Sequence, residues 1–357
     1  MLTHDATVFI PSESRIGVRK IQITGMEKPV KIQPAVRKIH IVLPKPSIYN
    51  ITPDFERLLK KLNDLYGTGD VGISYDVLKE LPEILRRSDW NATVTLWEDK
   101  RIIDVEEGDA VNALYGLAVD IGTSKVVGYL VDLSNGEIIG SAGIENPQIT
   151  YGEDFMSRIE YTITHKNGLR RLQRLTVNAI NDMLHEMCME AKISPRNIYE
   201  ATIVGNTVMH HIFLGIQPKY LSKSPYQPAI KRSLDIRAKE LGLKINPSGN
   251  IHVLPVIAGY VGADAVADVL ATGIYEEQET CLLIDIGTNG EVFVGNKDDI
   301  VSCSCAAGPA FEGAHIKHGM KAITGAIEKV RIDPKSLKVS YEVVGNVKPV
   351  GICGSGL

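Results

Sequence analysis

The sequence lacks the marks of several large classes of protein. No apolar run in its 357 residues reaches the roughly 18 residues that a membrane-spanning helix needs. Residues 1–15 have neither a basic segment nor an apolar core, so they predict no secretion signal. The formal net charge is −4 and no long lysine or arginine run occurs, which leaves no electrostatic footprint for nucleic acid. We therefore expect a cytoplasmic protein that contacts neither a membrane nor nucleic acid.

Cysteine is also sparse and follows no metal-binding pattern. The five cysteines are Cys188, Cys281, Cys303, Cys305 and Cys353. They form neither a C-x-x-C pair nor the C-x4-C-x2-C run of plant-type iron–sulfur proteins. Cys303 and Cys305 alternate on one face of a predicted strand, but two thiolates alone make an incomplete metal site. We expect no iron–sulfur or zinc site in this chain, and we interpret the cysteines as core or redox-silent thiols.

The residues that are present predict a globular α/β protein. With 44% hydrophobic and 23% charged residues, a chain of this length holds two or three domains. Residues 1–36 show no clear period and are interpreted as a linker segment with one strand. Residues 37–110 predict a small α+β middle domain. Residues 111–357 alternate apolar strands with helices and predict a larger α/β domain.

Local signals place the elements of the small domain. "TPDFERLLKKLNDLYG" predicts a helix with Thr52 as N-cap and Pro53 at the first helical position. "SYDVLKELPEILRRSD" predicts a second helix that is kinked or broken near Pro82. "ATVTLWEDKRIIDVEEGD" then predicts a hairpin.

The turn motif D-I-G-T occurs twice in the larger domain. "AVDIGTSK" (118–125) returns as "LIDIGTNGE" (283–291), and the two aspartates are 285 − 120 = 165 residues apart, which is the size of a domain. A single D-I-G-T is explained equally well by a strand that ends in a turn. Two copies at this separation, each followed by another strand, favour two turns that face one polyphosphate across a cleft.

The residue types of the two turns suit that chemistry. Glycine lets the backbone approach a phosphate, hydroxyls add donors, and a carboxylate can hold hydrated Mg²⁺. Asp120 and Asp285 are therefore the predicted magnesium residues, acting through water. The predicted phosphate-binding residues are Gly122, Thr123, Ser124, Gly287, Thr288 and Asn289. Lys125 either neutralises a phosphate or points to solvent.

A third glycine cluster, "GICGSGL", occupies residues 351–357. Its G-x-x-G-x-G spacing fits neither the P-loop nor the dinucleotide-binding pattern. With "DIGTS", "DIGTNGE" and "GADAVADVLATG", it resembles the phosphate-1, phosphate-2, connect-1 and adenosine motifs of the ASKHA superfamily (actin, sugar kinases and heat-shock chaperones). The resemblance implies a duplicated ribonuclease H-like ATPase fold over 111–357, with halves around 115–257 and 258–357.

Within that superfamily the chain resembles the ATP-dependent reductive activators of corrinoid proteins. The motifs that carry this resemblance are "NPQITYGEDFMSRI", "VGNTVMHH", "VGADAVADVLATG", "LLIDIGTNGE", "AAGPAFEGAHI" and "VLPKPSI". They imply an enzyme that couples ATP to reduction of cob(II)alamin to cob(I)alamin in a corrinoid protein partner. Family members usually carry a [2Fe–2S] domain, whose ligands this chain lacks, so we expect a fragment cut at both ends. Relatives suggest a homodimer.

The resemblance also implies residue roles. Asp264 is expected to orient the attacking water, although an aspartate in the first turn of a helix is equally explained by the helix dipole. Glu291 is the second candidate for that role, and Asp285 is expected to be catalytic through its metal. Gly354, Ser355 and Gly356 are expected to contact adenosine.

Several polar residues are left with two explanations. Asn146, Gln148, Tyr151, Asp154 and Arg158 form either a layer behind the site or a partner surface, while Asp154 alone is also explained as a helix cap. His210 and His211 are adjacent on a predicted helix and cannot face one ligand, so we interpret them as core or surface residues.

Two other functions remain open from the sequence. A small-molecule kinase of this fold would phosphorylate a hydroxyl or carboxylate without a partner protein, using a general base near the γ-phosphate. An actin-like or chaperone-like binding module would turn over ATP slowly with no redox role. Stimulation of ATP hydrolysis by a corrinoid protein distinguishes the activator from both.

Overall fold

A computed structural model describes residues 31–287, 289–305, 317–320 and 322–353. The sequence interpretations that fall on residues 1–30, on Thr288 and on 354–357 lie outside these ranges. The chain divides into two compact units. The larger holds the described residues up to Leu283 together with Val294–Val301, and the smaller holds Ile284–Phe293 together with the described residues from Ser302 onward.

The first part of the larger unit is the small α+β structure that the sequence predicts. Its strands are β1 (Val36–Val42), β2 (Gly72–Ile73), β3 (Asn91–Trp97) and β4 (Arg101–Glu107), in the sheet order β1-β3-β4-β2. β3 and β4 form the expected antiparallel hairpin. The helices α1 (Asp54–Tyr66) and α2 (Tyr75–Arg87) share a core with the sheet, and its fully buried members include Leu58, Leu62, Leu81, Leu85, Val94 and Leu96.

Two details of the predicted helices are wrong. α1 begins at Asp54, so Pro53 rather than Thr52 is the N-cap, and no side chain caps the helix. The Thr52 hydroxyl instead donates to Asn50 Oδ1. α2 runs through Pro82 without a break, so the predicted break is wrong, while the alternative of a kink stays a prediction. Its buried face, formed by residues such as Leu81 and Leu85, packs into the core, and that packing outweighs the lost backbone hydrogen bond.

A six-stranded sheet forms the rest of the larger unit. Its strands are β5 (Tyr115–Ile121), β6 (Lys125–Asp132), β7 (Ile138–Glu145), β8 (Ile198–Gly205), β9 (Leu234–Arg237) and β10 (Asn250–Val253). Their order is β7-β6-β5-β8-β10-β9, with β5, β8 and β10 parallel. The helices are α3 (Phe155–Thr164), α4 (Gly168–Ala191), α5 (Thr207–Phe213), α6 (Ala238–Leu241) and α7 (Ala263–Thr272). α4 packs on β6 and β7 through buried residues such as Ile180 and Met183.

The two central strands, β5 and β8, bring their carboxyl ends together. Ile121 is in register with Gly205, and the next residues along each strand are Gly122 and Asn206. A Cβ on Gly205 would lie 2.6 Å from the Ile121 carbonyl oxygen, so glycine is required for this close approach. The D-I-G-T turn therefore lies beside the start of α5.

A polar junction joins the small α+β part to the six-stranded sheet. The Tyr199 hydroxyl lies 3.1 Å from both Asp104 Oδ2 and Glu106 Oε2, and Lys38 pairs with Glu106. Burial, followed by the charge of Glu106, raises the pKa of Asp104. Trp97 Nε1 donates to Glu200 Oε2 over 3.1 Å. The two parts are thus fixed to each other by hydrogen bonds as well as by apolar packing.

The remaining strands form two three-stranded sheets. One has the order β11 (Cys281–Ile286), β12 (Gly290–Gly295), β13 (Ile300–Cys305), and the other has β14 (Ala326–Ile332) between β15 (Val339–Val343) and β16 (Gly351–Ile352). Cys188 and Cys353 are buried, as the core alternative predicts, whereas Cys303 and Cys305 are exposed, and for these two the redox-silent alternative stays a prediction. No helix in the described ranges is long and apolar enough to cross a membrane.

Candidate functional site

The first D-I-G-T turn connects β5 to β6 at the carboxyl end of the sheet. Asp120 is exposed near the end of β5, and Thr123 is buried in the turn. A Cβ on Gly122 would lie 2.9 Å from the Lys125 carbonyl oxygen, so the turn is too tight for a side chain there. Glycine is therefore required for the backbone to fold back onto Lys125 in this tight turn.

Two residues from other parts of the chain, Asn146 and Arg158, bind the backbone of the turn. Asn146, just after β7, donates from Nδ2 to the Gly122 carbonyl over 2.8 Å and from its backbone N–H to the Ser124 carbonyl over 3.0 Å. Arg158 on α3 donates from Nη2 to the Thr123 carbonyl over 2.5 Å. Three successive carbonyl oxygens of the turn are therefore bound, which fixes the backbone without any ligand.

Arg158 is itself held in a fully buried polar layer. Its Nε donates to the Gly152 carbonyl over 2.9 Å, and Nη1 lies 3.2 Å from both Gln148 Oε1 and Met209 Sδ. Burial lowers the pKa of the guanidinium to about 10, with Asp154 acting in the opposite direction. Since that pKa is still well above neutrality, Arg158 carries its charge at pH 7.

Asn206 links the turn to the start of α5. Its Nδ2 donates to Thr123 Oγ1 over 2.9 Å, and its Oδ1 accepts the N–H groups of Val208 and Met209 as the N-cap of α5. The Asn206 side chain thus caps the N-terminus of α5 and also fixes the Thr123 hydroxyl of the turn.

The start of α7 lies against the same cap. A Cβ on Gly262 would lie 2.5 Å from Asn206 Cα and 2.7 Å from the Thr207 nitrogen, so the two helix starts meet at a glycine. Asp264 follows in the first turn of α7, where its Oδ1 accepts the Ala265 N–H over 2.8 Å. The structure thus brings Asp264 close to the residue that contacts the first turn.

The second D-I-G-T turn connects β11 to β12, and its Thr288 lies outside the described residues. The Gly287 N–H donates to the Asn289 carbonyl over 3.1 Å. A Cβ on Gly287 would lie 3.2 Å from that oxygen and 3.9 Å from Asp285 Oδ1. Glu291 is buried, and its Oε1 accepts from Ser304 Oγ over 3.2 Å. A carboxylate at the turn and a fixed, buried carboxylate beyond it are thus both present.

The other predicted residues are placed as follows. β16 pairs parallel with β14 and leads to Gly354, Ser355 and Gly356, which lie outside the described residues, as does Thr288. Asp154 caps α3 by accepting the Ser157 N–H over 2.8 Å, which confirms the simpler explanation of that residue. Lys125 begins β6 and is half-buried.

His210 and His211 are core residues, as expected. His211 Nδ1 lies 2.7 Å from the Thr207 carbonyl and its Nε2 accepts the Ala229 N–H over 2.9 Å, so the ring is neutral and anchors the loop before β9. Burial lowers the pKa of His210 to about 4. The described residues contain no cluster of three or more histidine, cysteine or acidic side chains that would hold a metal.

The sequence analysis missed Asn206 as a site residue and left the role of Asn146 undecided. Asparagine after a strand and before a helix is a recognisable N-cap signal, and "VGNTVMHH" contains it. No local signal shows that its amide also reaches Thr123, because the two residues are 83 positions apart.

Comparison with models of known protein families relates the chain to one family along most of its length. Three sequence models match consecutive stretches of the chain. The RACo linker region matches residues 25–112, the RACo middle region 115–277, and the C-terminal domain of RACo, the ASKHA domain, 279–357. The name "linker region" thus covers the small α+β part of the larger unit.

Two individual proteins that act on corrinoid proteins by name are also similar in sequence. The chain is 35% identical over 307 residues to corrinoid activation enzyme RamQ of Eubacterium limosum, covering 86% of this chain and 50% of that protein. It is 27% identical over 229 residues to the [Co(II) methylated amine-specific corrinoid protein] reductase of Methanosarcina barkeri, covering 61% of this chain and 41% of that protein. The chain spans about half the length of these relatives.

A solved structure of a reductive activator for corrinoid, iron-sulfur protein also has this fold. Its TM-score is 0.76 at 38% identity, and the match covers 97% of this chain and 57% of that one. The α/β fold class with an ASKHA domain is confirmed. The chain carries the linker, middle and C-terminal regions in the order that defines these proteins, and it belongs to the RACo family.

Proposed function

We propose that the chain is the nucleotide-dependent part of a reductive activator of a corrinoid protein. It couples ATP binding and hydrolysis to reduction of cob(II)alamin to cob(I)alamin in a corrinoid protein partner. The electron comes from an iron–sulfur group outside this chain, and the reaction takes place in the cytoplasm. The observation that carries the proposal is the pre-formed first turn, whose three carbonyl oxygens are bound from behind by Asn146 and Arg158 in a member of the RACo family.

The described residues fit a nucleotide with Mg²⁺. Gly122 is proposed to bind phosphate through its backbone in the tight first turn, and the nearby Asp120, which is exposed, is proposed to hold a hydrated ion. Asp285 has the same position relative to Gly287 in the second turn. When bound, Mg²⁺ supplies neutralisation of phosphate charge. Thr123 and Ser124 are proposed to fix the first turn, and Lys125 to add positive charge beside it.

Asp264 and Glu291 are proposed to orient the water that attacks the terminal phosphate. Each is a carboxylate held by a neighbouring donor, the Ala265 N–H for Asp264 and the Ser304 hydroxyl for Glu291. Gly354, Ser355 and Gly356 are proposed to contact adenosine, and Thr288 and Asn289 to bind phosphate with Gly287, by their match to the family motifs. A homodimer is part of the proposal on the same ground.

The energy available makes the coupling feasible. To shift a two-state equilibrium from 1:99 to 99:1 requires about 5.5 kcal/mol. At 59 mV per tenfold change for one electron, that shift corresponds to about 240 mV. A nucleotide-driven change of conformation on this scale would make an unfavourable one-electron reduction accessible, provided the activator binds one cobalt state better than the other.

The test uses the full-length gene product with a chemical reductant, MgATP and candidate corrinoid proteins. The absorbance change from cob(II)alamin to cob(I)alamin is followed with and without ATP. We expect ATP-dependent formation of cob(I)alamin with one partner, and no formation with Asp285→Asn, which should fold normally but lose magnesium-dependent ATP turnover. Steady ATP turnover with no response to any corrinoid protein would instead indicate a small-molecule kinase. Unchanged turnover in Asp285→Asn would refute the assignment of Asp285.

A further inference from the structure

Arg158 is a buried cation that forms no direct ion pair with any described residue, and only the charge of Asp154 acts on it from a distance. The side chain is fully buried, and its acceptors are two backbone carbonyls, the Gln148 amide oxygen and the Met209 sulfur, all of them neutral. No carboxylate of the described residues lies within ion-pair distance of the guanidinium. A buried cation with no carboxylate in direct contact is costly, so its presence beside the turn requires an explanation.

We propose that Arg158 is a positioning residue whose charge is balanced by the phosphates of the bound nucleotide. The site therefore selects its ligand by phosphate charge, favouring a triphosphate over a monophosphate with the same base and sugar. This inference rests on the proposed nucleotide function of the first turn. The guanidinium acts through the Thr123 peptide, whose carbonyl accepts from Nη2, so it fixes the turn and also adds positive potential to it.

Arg57 provides an internal comparison. It too is a buried arginine that holds a loop by its carbonyls, donating to Pro44, Asn50 and Thr52 over 3.2, 3.0 and 2.8 Å. It belongs to the small α+β part, and these three acceptors lie in that part as well. Buried arginines therefore fix loops elsewhere in this chain, and a purely structural role is the explanation against which the proposal must be tested.

The test compares nucleotides that differ only in phosphate charge. Titration calorimetry measures the affinity of the wild-type chain, Arg158→Gln, Arg158→Lys and Arg57→Gln for MgATP, MgADP and AMP, and thermal unfolding measures the stability of each. Arg158→Gln should lose about tenfold to a hundredfold in MgATP affinity, equivalent to about 1.4–2.8 kcal/mol, with a smaller loss for MgADP and the smallest for AMP. Arg57→Gln should lower the unfolding temperature and leave all three affinities unchanged.

Arg158→Lys separates charge from geometry. It keeps the charge but loses the planar fork, so it should weaken all three nucleotides while preserving the wild-type ratio of MgATP to AMP affinity. If Arg158→Gln does not fold, the ratio of MgATP to AMP affinity in Arg158→Lys still tests the proposal. A lower ratio in Arg158→Lys than in the wild type would refute it. An equal loss for all three nucleotides in Arg158→Gln, or no loss for MgATP, would also refute it. A wild-type chain that binds no nucleotide would refute the proposed function instead.

Discussion

Glu200→Gln is expected to stabilise the protein at neutral and alkaline pH. Glu200 lies at the junction between the small α+β part and the six-stranded sheet, where Oε2 accepts from Trp97 Nε1 over 3.1 Å and Oε1 from Asn250 Nδ2 over 2.8 Å. Burial raises the pKa of the carboxyl from 4.5 to about 7, and the charge of Asp235 adds to that effect. The donors Asn250 and Trp97, and the charge of nearby His252, oppose it.

The sign and size of the effect follow from these pKa values. Between pH 4.5 and about 7 the native state keeps a proton on Glu200 that the unfolded chain has released, so stability falls as pH rises through this window and is level above it. A difference of about 2.5 pKa units at 1.36 kcal/mol each gives a loss of about 3 kcal/mol. Glutamine is neutral at every pH and keeps an acceptor for Trp97, so the variant should not show this loss.

Urea unfolding at pH 5, 6, 7 and 8 measures the effect. The difference in unfolding free energy between Glu200→Gln and the wild type should grow from about 1 kcal/mol at pH 5 to about 3 kcal/mol at pH 8. Glu190→Gln, which changes an exposed glutamate on α4, is the matched control and should show no such growth. Parallel curves for Glu200→Gln and the wild type across the whole range would show that the carboxyl titrates normally in the native state.

Two further predictions concern the first turn. Asn206→Asp keeps the N-cap of α5 but loses the amide donor to Thr123 and adds a negative charge beside the turn. Its unfolding free energy should therefore stay within about 0.5 kcal/mol of wild type, while its MgATP affinity falls at least tenfold. An MgATP affinity equal to that of the wild type in calorimetry would contradict the role assigned to Asn206. Gly262→Ala forces a Cβ against the backbone of Asn206, so it should lower the unfolding free energy in urea by about 1–3 kcal/mol and also lower ATP turnover. Gly72→Ala is the control, because a Cβ there would lie 3.8 Å from its nearest neighbour, and it should leave ATP turnover unchanged.

Local details show where sequence reasoning failed. Thr52 has the chemistry of an N-cap, yet its carbonyl is bound by Arg57 and its hydroxyl by Asn50, so the helix starts two residues later. Pro82 removes one hydrogen bond, but the packing of α2 on the sheet keeps the helix intact. Both errors arise because tertiary contacts compete with local propensity.

The sequence by itself determined the two D-I-G-T turns, the strands around them and the family, because each of these depends on residues that are adjacent along the chain. A strand that ends in Asp-Ile-Gly-Thr carries its hydrogen-bonding pattern and its glycine with it. The same holds for Asp154 as the cap of α3 and for Gly273 at the end of α7.

Only the tertiary structure decided what holds the first turn. Its donors come from Asn146, Arg158 and Asn206, which are 24, 35 and 83 residues from their acceptors in the turn. Their convergence depends on the packing of α3 and α5 against the sheet, and no short stretch of sequence encodes that distance. The buried charge of Arg158 likewise arises only once folding has removed the side chain from water and surrounded it with neutral acceptors.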